Sequence, residues 1–149
     1  MKKFTFRLEP VLKYKSDILE ALKNEYAEAA KNVFEQMEIV NSLKNEEELL
    51  VLKFNSKKIE GLTIAEATIY ESFIIKQNKQ IKLETSKLDH LRKIEDEKRE
   101  KMIEAKKEML SIEKLKDIKV EEYKKEVQKQ SELFIEEFVS SESLKHKNN

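Results

Sequence analysis

The chain has 149 residues with one glycine, one proline and no cysteine, and 40% of its residues are Asp, Glu, Lys or Arg. Sheet, barrel and Rossmann-type folds need turn residues at short intervals and are excluded, whereas Ala, Glu, Lys, Leu and Arg make up 79 of the 149 residues, the composition of coiled coils and long helices. Thirty basic residues balance thirty acidic ones, so no global field favours nucleic acid or an anionic membrane.

Residues Phe4 to Glu9 read as an extended arm ahead of Pro10, which sits where proline is tolerated, in the first turn of a helix. That helix is expected over about 8–60, a stretch without a breaker after Pro10. Gly61 is placed to end it in a left-handed cap, with Lys57 and Lys58 in the preceding turn to complement the helix dipole. Thr63-Ile64-Ala65-Glu66 follows at once as a capping box, an N-cap threonine with a glutamate three residues on. A stop signal next to a start signal predicts a hairpin turn at 61–63.

The first helix carries Val11, Ile18, Leu22, Tyr26, Ala29, Val33, Met37, Val40, Leu43, Leu50 and Phe54 in steps dominated by three, four and seven. This is the narrow stripe of a coiled coil rather than the broad face of a globular helix. The second half shows Ile74, Ile81, Leu88, Leu91, Met102, Ala105, Met109 and Ile112 on a seven-residue frame. After a stutter near Lys116 the stripe resumes at Val120, Tyr123, Val127, Phe134 and Phe138. Glu9/Lys13, Glu95/Arg99, Glu97/Lys101 and Glu121/Lys125 are i,i+4 pairs in the favourable order. Between Arg92 and Lys101 the frame positions go to Glu95 and Lys98, a polar interruption that lowers stability while fixing register.

The two arms differ in length. Val11–Glu60 spans roughly 75 Å as helix and Ile64–Val139 roughly 114 Å. Either the second helix overhangs the first, or the chain bends again at the polar run Lys76–Gln80; the reading favoured is a short helix over 64–78 followed by a long one. The fold class expected is therefore all-α, a long antiparallel two-helix coiled-coil hairpin over 1–139 with helical residues 64–139. Residues 140–149, ending in His146-Lys147-Asn148-Asn149, are expected to fray.

No catalytic constellation emerges. Thirty carboxylates on solvated helices serve solubility and ion pairing, and no two stand out as an acid–base couple. The only histidines, His90 and His146, have no zinc-site spacing, and Asp89-His90 reads as an exposed pair. There is no glycine-rich phosphate loop, and lysines outnumber arginines 27 to 3, which disfavours bidentate phosphate recognition. No catalytic residue, cofactor, metal, nucleic acid or small-molecule substrate is expected. No apolar run reaches the roughly eighteen residues of a membrane span, and the polar start lacks a signal-peptide core, so the expected location is cytoplasmic.

Two places carry more apolar surface than a seam requires. Phe4, Phe6 and Leu8 alternate with polar residues in the arm, as a cover over the hairpin end or as a docking arm. Ile69–Ile75 holds five apolar residues in seven, among them Tyr70, Phe73 and Ile74. This second patch is either a partner surface or an inward face beneath a short middle helix.

The opening Phe4-Thr5-Phe6-Arg7-Leu8-Glu9 followed by Val11-Leu12-Lys13 resembles the F-x-F-R-L-E-x-V-L start of the flagellar export protein FliJ family. Gly61-Leu62-Thr63 with Tyr70-Glu71-Ser72-Phe73-Ile74 resembles that family's middle segment, a glycine, a short spacer and Y-x-x-F. Length and coiled-coil character agree along the whole chain.

The resemblance implies an antiparallel coiled coil similar to the γ stalk of rotary ATPases, in the cytoplasmic ATPase complex of the flagellar type III export apparatus. Its implied partners are the hexameric export ATPase, whose pore it enters and whose assembly and activity it promotes, the cytoplasmic region of the export-gate membrane protein, and flagellar export chaperones. The location implied is peripheral, on the inner face of the cell membrane at the flagellar base. Phe73 matches the family's gate contact, with Tyr70 and Ile74 beside it. Phe4, Phe6, Leu8, Val11 and Leu12 fall at the end that would meet the ATPase. Gln77, Gln80 and Glu84 depart from the smaller, apolar or His residues expected of relatives. The competing readings are a rotary-ATPase stalk, an export or assembly chaperone binding clients through its apolar tip, and a plain helical scaffold.

Overall fold

The computed structural model describes residues 2–148. It contains two helices, α1 (Glu9–Glu60, 52 residues) and α2 (Ile64–Lys147, 84 residues), packed against each other as a hairpin, with no strand among the described residues. The Leu8 carbonyl accepts the Leu12 N–H at 2.9 Å to open α1, and Pro10 lies in the first turn, where its missing donor costs no helical bond. Gly61 closes α1: its N–H reaches the Lys57 carbonyl at 3.0 Å and its φ is +108°, open to glycine and strained for any other residue. Thr63 Oγ1 then accepts the Glu66 N–H at 3.2 Å, the N-cap half of the expected capping box.

The chain divides into two compact units. One combines the residues up to Leu19 with those from Glu104 onward, and the other is Glu20–Ile103.

In the Glu20–Ile103 unit, the buried and half-buried residues of α1 are Leu22, Tyr26, Ala29, Val33, Gln36, Val40, Leu43, Glu47, Leu50 and Phe54, with the half-buried Ala30 and Val51 beside them. These ten residues step by three and four throughout, the strict heptad spacing that keeps one face toward a partner helix. Ala67, Tyr70, Ile74, Gln77, Ile81, Glu84, Leu88, Leu91, Glu95, Lys98 and Met102 face them from α2 in the same rhythm. Val33, Val40 and Leu88 form the buried centre, with Leu91 packed against it. Toward the turn, Phe54 stacks on Tyr70 with ring centroids 5.2 Å apart, and the Lys58 ammonium lies 3.9 Å from the Phe54 centroid.

In this unit one residue expected in the seam lies outside it. Gln36, not Met37, occupies the frame position between Val33 and Val40, and Met37 is 37% exposed. Apolarity selects Met37, but the three-four spacing places Gln36 inward. The bend favoured at Lys76–Gln80 is also absent, and the short helix over 64–78 is simply the start of α2. The polar run needs no break because its inward residue has partners: Gln77 Nε2 donates to the Leu43 carbonyl and to Glu46 Oε2, each at 3.2 Å.

In the other unit, Leu12, Lys15, Ile18 and Leu19 of α1 meet Ala105, Met109, Ile112, Leu115, Lys116, Val120 and Tyr123 of α2. Lys15 pairs with Glu108 at 2.9 Å and Glu9 with Lys116 at 2.8 Å, so Glu9 bonds across the hairpin rather than to Lys13. Leu19 is buried and Val11 is 38% exposed, which moves the stripe off Val11. The spacing stutters at Lys116 as expected, through Ile112, Lys116 and Val120. Beyond Tyr123 the expected seam does not continue: every described residue from Lys124 onward is exposed, Val127, Phe134 and Phe138 included. α1 begins at Glu9 and the arm packs at Tyr123, so no described residue of the unit covers them. The segment expected to fray is helical through Lys147, with Lys145, His146 and Lys147 in the last turn complementing the dipole; Asn149 lies outside the described residues.

Candidate partner-binding surfaces

The turn-proximal patch is built on the first turns of α2, where helical periodicity splits an apolar cluster between two directions. Tyr70 and Ile74 fall on the seam frame and are half-buried, Tyr70 against Phe54. Phe73, on the outer side, is 55% exposed beside a shallow hollow lined by Leu50, Lys76, Gln77 and Gln80. Ile69 and Ile75 are also exposed. With no separate middle helix, nothing in this unit folds over Phe73. Ile59 and Ile64, on either side of the turn, are 89% and 88% exposed.

The N-terminal arm lies folded rather than free. Phe4, Phe6 and Leu8 are half-buried and border a hollow with Leu115 and Lys119 of α2. Phe4 packs on Tyr123 with centroids 5.5 Å apart and planes inclined at 51°, and the Tyr123 hydroxyl donates to the Lys2 carbonyl at 2.8 Å. Leu12 is half-buried next to Pro10, Lys13 and Glu113. The structure thus realises the cover arrangement, with one face of the three arm residues still solvated.

A third feature escaped the sequence reading. Gln36 Nε2 donates to the Glu84 carbonyl at 3.0 Å and to Glu84 Oε2, while Gln80 Nε2 and Lys87 Nζ donate to Oε1 at 3.1 and 3.3 Å. The Glu84 carboxyl is held below the ordinary carboxylate range, by the Gln36 bond first, against burial and with help from Lys87 and Gln80. The signal that could have found this layer was the frame itself, which assigns Gln36, Gln77 and Glu84 to seam positions. Gln77 and Glu84 therefore point at α1, and Gln80 is exposed but bonds Glu84.

Among the described residues, no group of three or more His, Cys, Asp or Glu is arranged to hold a metal ion. Asp89 and His90 are both exposed. No described helix is long and apolar enough to cross a membrane. Every buried side-chain nitrogen and oxygen among the described residues has a hydrogen-bond partner.

The surfaces so far are apolar patches on paired helices, the chemistry of contact with other proteins. A family model described as flagellar FliJ protein matches residues 3–148. The chain belongs to the FliJ family. The match takes in the arm, both helices and the turn between them, so it covers both FliJ-like motifs at Phe4–Lys13 and Gly61–Ile74. No curated protein and no solved structure matches the chain. As a FliJ-family member it is a component of the flagellar export apparatus, and its all-helical hairpin fits a structural role.

Proposed function

We propose that this FliJ-family chain acts as a stalk within the cytoplasmic ATPase complex of flagellar type III export. In this reading it promotes assembly and hydrolysis by the hexameric export ATPase, links that ring to the cytoplasmic region of the export gate, and receives export chaperones. Its location is then peripheral, at the inner face of the membrane at the flagellar base. The family match over residues 3–148 carries the reading. The long uninterrupted helices support it, because transmission between two partners needs helices without Gly or Pro hinges.

The patches support one assignment of the partner ends. Residues 11–30 and 115–138, with the arm residues Phe4, Phe6 and Leu8, are assigned to the ATPase ring. The segment after the turn is assigned to the gate, with Phe73 as the contacting side chain and Tyr70 and Ile74 as its support, since Phe73 alone of the three faces outward. Titration of the protein into the purified cognate ATPase while following hydrolysis tests the reading. Stimulation with formation of a complex is the expected outcome; neither stimulation nor complex would overturn it. The exposed Ile59 and Ile64 favour one second reading, client binding at the tip as an export chaperone. Capture of late export clients without any effect on the ATPase would select it.

A further inference from the structure

The exposed end of α2 keeps the design of a seam without a partner. Val127, Phe134 and Phe138 are 36%, 71% and 59% exposed, yet they continue the helix face of Val120 and Tyr123, which packs within the hairpin. With Ser131 they are spaced four, three and four residues apart. That spacing reads the same in both directions.

We propose that this face is a homodimer interface, in which residues 124–141 of α2 pair antiparallel with the same residues of a second copy. Three observations select that occupant. The first is continuity: the face is the extension of an existing intramolecular coiled-coil seam, and a second helix fits it as α1 fits the turns before it. The second is the palindromic spacing. About a twofold axis between Glu132 and Leu133, Val127 faces Phe138 of the other copy and Ser131 faces Phe134, each layer occurring twice. Every layer sets a smaller side chain against a larger one, as interdigitation requires.

The third observation is charge. Lys124, Lys125 and Lys129 with the single Glu126 make the first part of the segment basic, while Glu132, Glu136, Glu137 and Glu142 run without a cation until Lys145. An antiparallel pair lays the basic part of each copy along the acidic part of the other. A parallel pair stacks carboxylates on carboxylates, and would be opposed.

This face overlaps residues 124–138 of the segment assigned to the ATPase ring, so the pairing goes beyond the stalk reading and is tested on the chain with no export component present. Sedimentation of the full-length protein over a wide concentration range is the test. The expected result is a mass of two chains that falls to one on dilution, and a Phe134→Ser/Phe138→Ser double variant that stays at one chain with unchanged helical circular dichroism. Both side chains are solvated in the single chain, so the variant leaves the hairpin fold intact. A single-chain mass for the wild type at all concentrations, or undiminished association of the double variant, overturns the proposal. Orientation is read by disulfide formation, since the chain has no cysteine of its own. Lys124→Cys mixed with Ser141→Cys is expected to cross-link, and neither variant alone, because antiparallel pairing sets the two copies of one position about 25 Å apart. Cross-linking of Lys124→Cys with itself overturns the antiparallel arrangement.

Discussion

Gln36 of α1 bonds Glu84 of α2 twice through one amide nitrogen, at the backbone carbonyl at 3.0 Å and at the carboxylate. The two residues are 8% exposed each and lie between the apolar layers of Val33, Val40 and Leu88. A polar layer in a coiled-coil seam lowers stability relative to leucine but disfavours slipped registers, which would leave its groups unpaired. The pair therefore holds the vertical alignment of α1 against α2 in the Glu20–Ile103 unit.

The sign of its pH dependence follows from the direction of the Glu84 shift. The carboxyl titrates below its ordinary value of 4.5 in the folded chain, so its contribution is complete above that value and is lost as pH falls through the folded pKa. Gln36→Leu is expected to lower the melting temperature at neutral pH, where the carboxylate loses its main donor. The gap to wild type should close on acidification below the ordinary value. A second substitution, Glu84→Leu on top of Gln36→Leu, should recover thermal stability at neutral pH by making the layer apolar. Melting followed by circular dichroism across pH reads all three.

Burial differs sharply along α2, and stability should follow it. Leu88 is 6% exposed in the core cluster, and Leu88→Ala should cost about 2–3 kcal/mol through lost burial and an unfilled space. Phe134 is 71% exposed, and Phe134→Ala should change the stability of the single chain by no more than about 0.5 kcal/mol. Urea titrations at low protein concentration, where self-association is absent, give both values.

Gly61 is a torsional requirement rather than a steric one. A Cβ there would meet nothing within 4 Å, but φ at +108° is unfavourable for any side chain. Gly61→Ala should destabilise the hairpin by about 1–2 kcal/mol, measurable by urea denaturation, despite the open space.

Phe73 and Tyr70 are one helical turn apart and should separate binding from folding. Tyr70→Ala removes the stacking partner of Phe54 and should lower stability by about 1–3 kcal/mol. Phe73→Ala should leave the melting temperature unchanged and weaken capture by the gate's cytoplasmic region about tenfold or more. If Phe73→Ala leaves gate binding intact while changes in residues 11–30 abolish it, the assigned polarity of the stalk is reversed.

Much of this architecture was legible because its signals are local. Pro10 tolerates only the first turn, Gly61 supplies a left-handed stop, and Thr63 caps the next helix within three residues, so each boundary is written in a few neighbouring side chains. The Phe73 patch was likewise visible as an excess of apolar residues over what one stripe can bury. The inward position of Gln36 was not, because an apolar criterion preferred Met37 next to it, and only the facing Glu84 shows why an amide belongs there. The continuity of α2 through Lys76–Gln80 was hidden for the same reason, since the polar Gln77 is stabilised by Leu43 and Glu46, more than thirty positions away.

The sequence by itself determined an all-α chain of long helices with a turn at 61–63, since Gly61 beside the Thr63 cap joins a stop signal to a start signal. That α2 runs on through Lys76–Gln80 was decided by the tertiary structure. Only the tertiary structure decided which residues of each helix are covered. Burial depends on the offset between helices of 52 and 84 residues. Within one unit the arm and α1 cover α2 as far as Tyr123, and the same apolar rhythm beyond it is left to solvent. Periodicity shows which face of a helix is apolar, but the reach of the partner helix sets how far along it that face is buried.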